Sequence, residues 1–72
     1  MTQQQIDNIF TYHAPFGDQA ERYHQIRAYA KSMAHVINDA CPESREKSIA
    51  LTLLQQSIQM ANASIAINER EE

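Results

Sequence analysis

Glycine is nearly absent from this 72-residue chain, and so are proline and cysteine. Gly17 is the single glycine, and Pro15 and Pro42 are the two prolines. A Gly-rich phosphate loop is therefore excluded. One cysteine, Cys41, excludes an internal disulfide and gives no hint of a secreted scaffold, so a reducing cytosol is expected. His13, His24 and His35 make no metal-ligand spacing with that lone cysteine, and no metal or cofactor is expected. Basic residues are few: six Lys and Arg against nine Asp and Glu leave a net charge of −3. That is not the profile of a DNA- or RNA-binding domain, although a few well-placed cations could still hold a small anion. No apolar run approaches a membrane span and no signal peptide starts the chain, so a soluble, unprocessed protein is expected.

What is present is helical. The chain reads as one domain over 1–72, all-α, an antiparallel helical hairpin with a short N-terminal helical arm. In the arm, residues 1–17, Ile6, Ile9 and Phe10 fit a short helix of two turns. Tyr12-His13-Ala14-Pro15 then reads as extended, because proline pushes its predecessor out of the α region. Helix one is expected over 18–40. Asp18 is its N-cap and Glu21 stands at N3 in a capping-box arrangement. Tyr23, Ile26, Ala30, Met33, Ile37 and Ala40 form its apolar stripe. Helix two is expected over 42–68, with Pro42 at N1 and Glu43 in the first turn. The short connection forces the two helices to pack antiparallel.

Helix two has more apolar surface than one neighbour can cover. One stripe is Leu51, Leu54, Ile58, Ala61 and Ile65, and a second is Ile49, Leu53, Met60, Ala63 and Ile67. A domain this short buries only about 60% of its unfolded surface, and without disulfide or metal the usual remedy is oligomerisation. The spare stripe is thus expected to make a symmetric oligomer; the alternative is that the arm folds back over it.

No nucleophile stands beside an obvious base, so no catalytic residue is assigned and an enzyme is not expected. Cys41 reads as an N-cap or a buried turn residue, and Ser44 as a nucleophile has no support from proximity. The more informative cluster is Phe10, Tyr12 and His13, followed by Arg22, Arg27 and Lys31. Rings stack on nucleobases and cations pair with phosphates. Arg27 and Lys31 are four apart and share a helix face. The plainer reading is a solvated cationic face with Tyr12 filling a gap in the hairpin, and spacing alone favours it. Ser44-Arg45-Glu46-Lys47-Ser48 opens helix two, where free N–H groups attract anions. A polar row, Ser48, Thr52, Gln55, Gln59 and Asn62, is either solvent face or the lining of a cavity between protomers.

Four blocks carry a family resemblance: Phe10-Thr11-Tyr12-His13-Ala14-Pro15, Arg22-Tyr23-His24-Gln25-Ile26-Arg27, Cys41-Pro42-Glu43-Ser44-Arg45-Glu46-Lys47-Ser48-Ile49-Ala50-Leu51-Thr52, and Met60-Ala61-Asn62-Ala63-Ser64-Ile65-Ala66-Ile67-Asn68. From about Phe10 to Asn68 the chain resembles the hairpin domain shared by phage anti-CBASS and anti-Thoeris sponge proteins. Anti-Thoeris members carry a further domain, so the chain looks more like the anti-CBASS type. The resemblance implies a protein that sequesters cyclic di- and trinucleotide messengers, such as cyclic GMP–AMP, without cleaving them. It also implies a homohexamer with ligand pockets between protomers, acting in the cytoplasm of the infected bacterial host. By the same resemblance Tyr12 matches an arm tyrosine of the dinucleotide site, and either Arg27 or Lys31 is its basic partner. Arg45 and Asn62 are candidates for a separate trinucleotide site. The alternatives are a helical protein–protein interaction module with no nucleotide ligand and a small messenger-degrading enzyme.

Overall fold

A computed structural model describes residues 1–70. Three helices follow in order, α1 (Gln3–Ile9), α2 (Gln19–Ala40) and α3 (Arg45–Asn68), and the described residues contain no strand. The arm helix α1 starts from a reciprocal cap that the sequence reading passed over. Thr2 Oγ1 accepts from the Gln5 amide at 3.1 Å, and Gln5 Oε1 accepts from the Thr2 amide at 2.8 Å. Residues 12–16 that follow have no regular structure, and Gly17 turns the chain at φ +56°, a left-handed conformation that side chains disfavour.

Helix α2 starts behind Asp18, as expected, whereas α3 starts later than expected. Asp18 precedes α2 but makes no side-chain cap. Its carboxylate is drawn to Arg22 Nε, 3.1 Å away, so the capping box with Glu21 does not form. Helix α3 begins at Arg45, not at Pro42. Cys41, preceding the proline, is extended, and so is Ser44. Ser44 Oγ accepts from the Lys47 amide at 3.1 Å, which makes Ser44 the N-cap. Pro42 therefore closes α2 instead of opening α3, and Glu46, not Glu43, is the acid of the first turn.

Helices α2 and α3 pack side by side, antiparallel. Tyr23, Ile26, Ala30, Ala34 and Ile37 of α2 and Leu51, Leu54, Ile58, Ala61 and Ile65 of α3 are the partly covered seam. Ala34 takes the place expected for Met33, which is 51% exposed, and Ala40 is exposed too. Lys47 also falls on the seam; its stem is enclosed and its ammonium reaches out to Glu43. The arm lies against the last turns of α3, where Asn8 Nδ2 donates to the Ile67 carbonyl at 3.0 Å. It half-covers the end of the second α3 stripe, Ala63 and Ile67, and leaves Ile49, Leu53 and Met60 exposed.

The molecule measures 46 × 28 × 12 Å, so its thinnest dimension is comparable to the width of one helix. A single layer has no inside. Among the described residues no hydrophobic side chain is buried. The surface of 5898 Å² exceeds the roughly 4,500 Å² expected of a compact monomer of this mass. Among the described residues no helix is long and apolar enough to cross a membrane.

Candidate functional site

The seam has two sides, and the helical register distributes side chains unequally between them. At about 3.6 residues per turn, Arg27 and Lys31 fall on one flank of α2, and Tyr29, Met33 and Val36 on the other. On α3, Gln55, Gln59 and Asn62 fall on the flank that joins Arg27 and Lys31, and Ile49, Leu53 and Met60 on the opposite one. The first side is a groove of about 520 Å³. Its floor is Ala30, Ala34, Leu51, Leu54 and Ile58; its rims are Arg27 and Lys31 on α2 and Gln55, Gln59 and Asn62 on α3. The two alanines leave room where larger residues would fill the space. An apolar floor between polar rims suits a flat ring carrying an anionic group.

Two further hollows continue the groove toward the arm. A hollow of about 250 Å³ is lined by His13, Tyr23, Arg27, Asn62, Ala63 and Ala66, and so shares Arg27 and Asn62 with the groove. The next, about 430 Å³, shares His13 and Ala66 and adds Tyr12, Phe16, Glu69 and Arg70. Lys31, Arg27, Asn62, His13 and Tyr12 thus line one continuous run of surface. Phe10 and Arg45 lie outside it. Phe10 caps the end of α1 and is 83% exposed, and Arg45 starts α3 beside the interhelical turn. Of the polar row along α3, Gln55, Gln59 and Asn62 line the groove, while Ser48 and Thr52 are exposed elsewhere.

Ion pairing sorts the cations. Arg22 binds both oxygens of Glu69, with Nη1 to Oε2 at 2.8 Å, and its Nε reaches Asp18. Hydrogen bonding from Arg22, and then from Gln19, holds the Glu69 carboxyl down to about 2 from 4.5. The same contact with Glu69 pushes the Arg22 guanidinium further up. Arg22 is therefore a structural cation, although the sequence cluster gave it equal standing with Arg27 and Lys31. Neither of those two has a carboxylate or hydrogen-bond partner among the described residues.

His13 and Asn62 bring polar atoms to the junction of the hollows. His13 Nε2 lies 2.7 Å from the Asn8 carbonyl, which can only accept, so Nε2 carries the proton. Asn62 Oδ1 is enclosed with no hydrogen-bond partner. An enclosed acceptor left without a donor costs on the order of 1–3 kcal/mol. Tyr12 is 84% exposed, with its ring free to meet a flat ligand. Gln19 and Glu69 were missed by sequence reasoning. Their contact spans 50 positions, and no local pattern marks it.

Comparison with known proteins identifies the family. A family model described as Acb2/Tad1, hairpin domain, matches residues 2–66. No curated protein and no solved structure matches the chain significantly. With nearly the whole helical region matched, the chain belongs to the Acb2/Tad1 hairpin-domain family, the anti-CBASS and anti-Thoeris sponges of phage anti-defence.

Proposed function

We propose that the protein sequesters cyclic di- and trinucleotide messengers, cyclic GMP–AMP among them, and so blocks CBASS immunity without cleaving its ligand. The observation that carries this reading is the run of hollows from Lys31 and Arg27 to Tyr12, with cations that lack carboxylate partners among the described residues at one end and an exposed ring at the other. Tyr12 stacks on a base, Arg27 or Lys31 pairs with a phosphate, and His13 and Asn62 offer polar contacts between them. Arg45 and Asn62 remain the candidates for a trinucleotide site, with Phe10 at the margin of the arm.

One chain supplies one copy of each group, whereas a cyclic dinucleotide has two bases and two phosphates. A symmetric assembly doubles the set. The proposed assembly is a homohexamer in the cytoplasm of the infected bacterial host. Two observations support assembly: the excess surface of the single layer, and the exposed flank of Tyr29, Met33, Val36, Ile49, Leu53 and Met60. That flank also suits docking of another protein, the alternative reading.

The test is calorimetric titration of the purified chain with a panel of cyclic di- and trinucleotides, then heat denaturation and recovery of the nucleotide. Saturable binding and intact ligand are expected. Absence of heat across the panel would overturn the reading in favour of a protein partner. Linear product growing with protein and time would make the protein an enzyme.

A further inference from the structure

We infer that Gln19, Arg22 and Glu69 form a latch that holds residues 12–16 in place, so that Glu69, itself an anion, is a positioning residue for an anionic ligand. The inference rests on the reading of Tyr12 and His13 as ligand contacts.

Residues 12–16 have no regular secondary structure to hold them. The segment is instead tied at both ends. Upstream, His13 bonds the Asn8 carbonyl, and Asn8 bonds the Ile67 carbonyl of α3. Downstream, the Phe16 amide donates to Gln19 Oε1 at 3.1 Å, and Gln19 Nε2 donates to Glu69 Oε1 at 3.0 Å. Arg22 then grips the same carboxylate with two nitrogens. Gln19 is only 2% exposed, whereas no hydrophobic side chain among the described residues is buried. Its amide has a donor and an acceptor at work, so its burial is compensated. The tie joins three parts of the chain: the end of the arm, the first turn of α2 and the cap of α3.

The position of Glu69 makes this role testable by sign. Glu69 lines the same hollow as Tyr12 and His13, where a carboxylate repels phosphate. If it acted only through its charge, removing that charge would tighten anion binding. Through the latch, removing it frees Phe16 and loosens the ring above the ligand, and binding weakens. Glu69→Asp separates the two further, because it keeps the charge and withdraws the oxygens from Arg22 and Gln19.

The experiment uses the full chain with cyclic GMP–AMP as probe, in the parent and in Glu69→Gln, Glu69→Asp and Gln19→Met. Binding kinetics, Phe16 amide hydrogen exchange and helix content are read for each. All three variants should raise Kd by roughly three- to tenfold through a faster off-rate. The on-rate of Glu69→Gln should stay level or rise, which general destabilisation would not produce. Phe16 exchange should quicken by about tenfold or more, with helix content kept. Tighter or unchanged binding in Glu69→Gln, or unchanged binding in Glu69→Asp, overturns the latch. If the parent binds no cyclic GMP–AMP, the proposed function has failed, and Phe16 exchange still decides the latch: protection unchanged in Glu69→Gln and Gln19→Met overturns it.

Discussion

Tyr12 and Glu69 face the same hollow from opposite ends of the chain, and each leads to a measurable expectation. Stacking of a base on an aromatic ring contributes about 1–3 kcal/mol. Tyr12→Ala should therefore weaken cyclic dinucleotide binding by at least roughly tenfold in calorimetry, with helix content and assembly size unchanged. Tyr12→Phe keeps the ring and should cost much less. Parent-like binding by Tyr12→Ala would remove Tyr12 from the site. For Glu69 the expectation is acid sensitivity. Its folded pKa is depressed to about 2 from 4.5 by Arg22 and then Gln19. A depressed carboxyl stabilises the fold above the unfolded value, and that contribution fades as pH falls from about 4.5 toward 2. Arg22 and Gln19 face it from α2, Arg22 also pairs with Asp18, and His13 and Arg70 share its hollow. Melting curves across that interval should show a loss of stability that Glu69→Gln lacks. Identical slopes would show that the ion pair is not coupled to folding.

Helix ends decide where the hairpin turns. Ser44 supplies the one side-chain cap of α3, whereas Asp18 supplies none to α2. Loss of an N-cap typically costs about 1 kcal/mol. In a domain of this size that lowers the melting midpoint by about 4–8 °C. Ser44→Ala should show that drop by circular dichroism at fixed protein concentration. Asp18→Ala loses only an exposed ion pair with Arg22 and should barely move the midpoint. Equal drops for the two variants would contradict this assignment of the caps.

A one-layer hairpin has one way to gain a dry interior, and that is to stack against another layer. The flank opposite the groove is apolar on both helices, and Leu53 at its centre is 58% exposed. Light scattering of the parent at micromolar concentration should give a mass several times 8.2 kDa. Leu53→Asp should reduce that mass and keep the helices, because Leu53 lies off the seam. Ile58→Asp, on the floor between the helices, should lose helix content as well. A parent that stays at 8.2 kDa would overturn the proposed assembly.

The helical class and the hairpin were legible from residue order, because both arise from local patterns. Apolar spacing of three and four marks the seam, and the rarity of breakers confines the turns to the neighbourhoods of Pro15–Gly17 and Cys41–Pro42. The shared face of Arg27 and Lys31 follows from the same periodicity, and the capping signature of Thr2 and Gln5 was there to be read. Other features depended on contacts between segments far apart in the chain. Pro42 was compatible with opening α3 or ending α2, and the extended backbone through Ser44 made it the end. Nothing local distinguishes Arg22 from Arg27; Glu69, 47 positions away, neutralises the first, and the second has no carboxylate partner among the described residues. Nor does spacing reveal that His13 adjoins Arg27 and Asn62, with Tyr12 in the next hollow, while Phe10 and Arg45 lie apart. Helix periodicity fixes the direction of a side chain about its own axis, but which distant group it meets is set only when the arm, α2 and the end of α3 pack together.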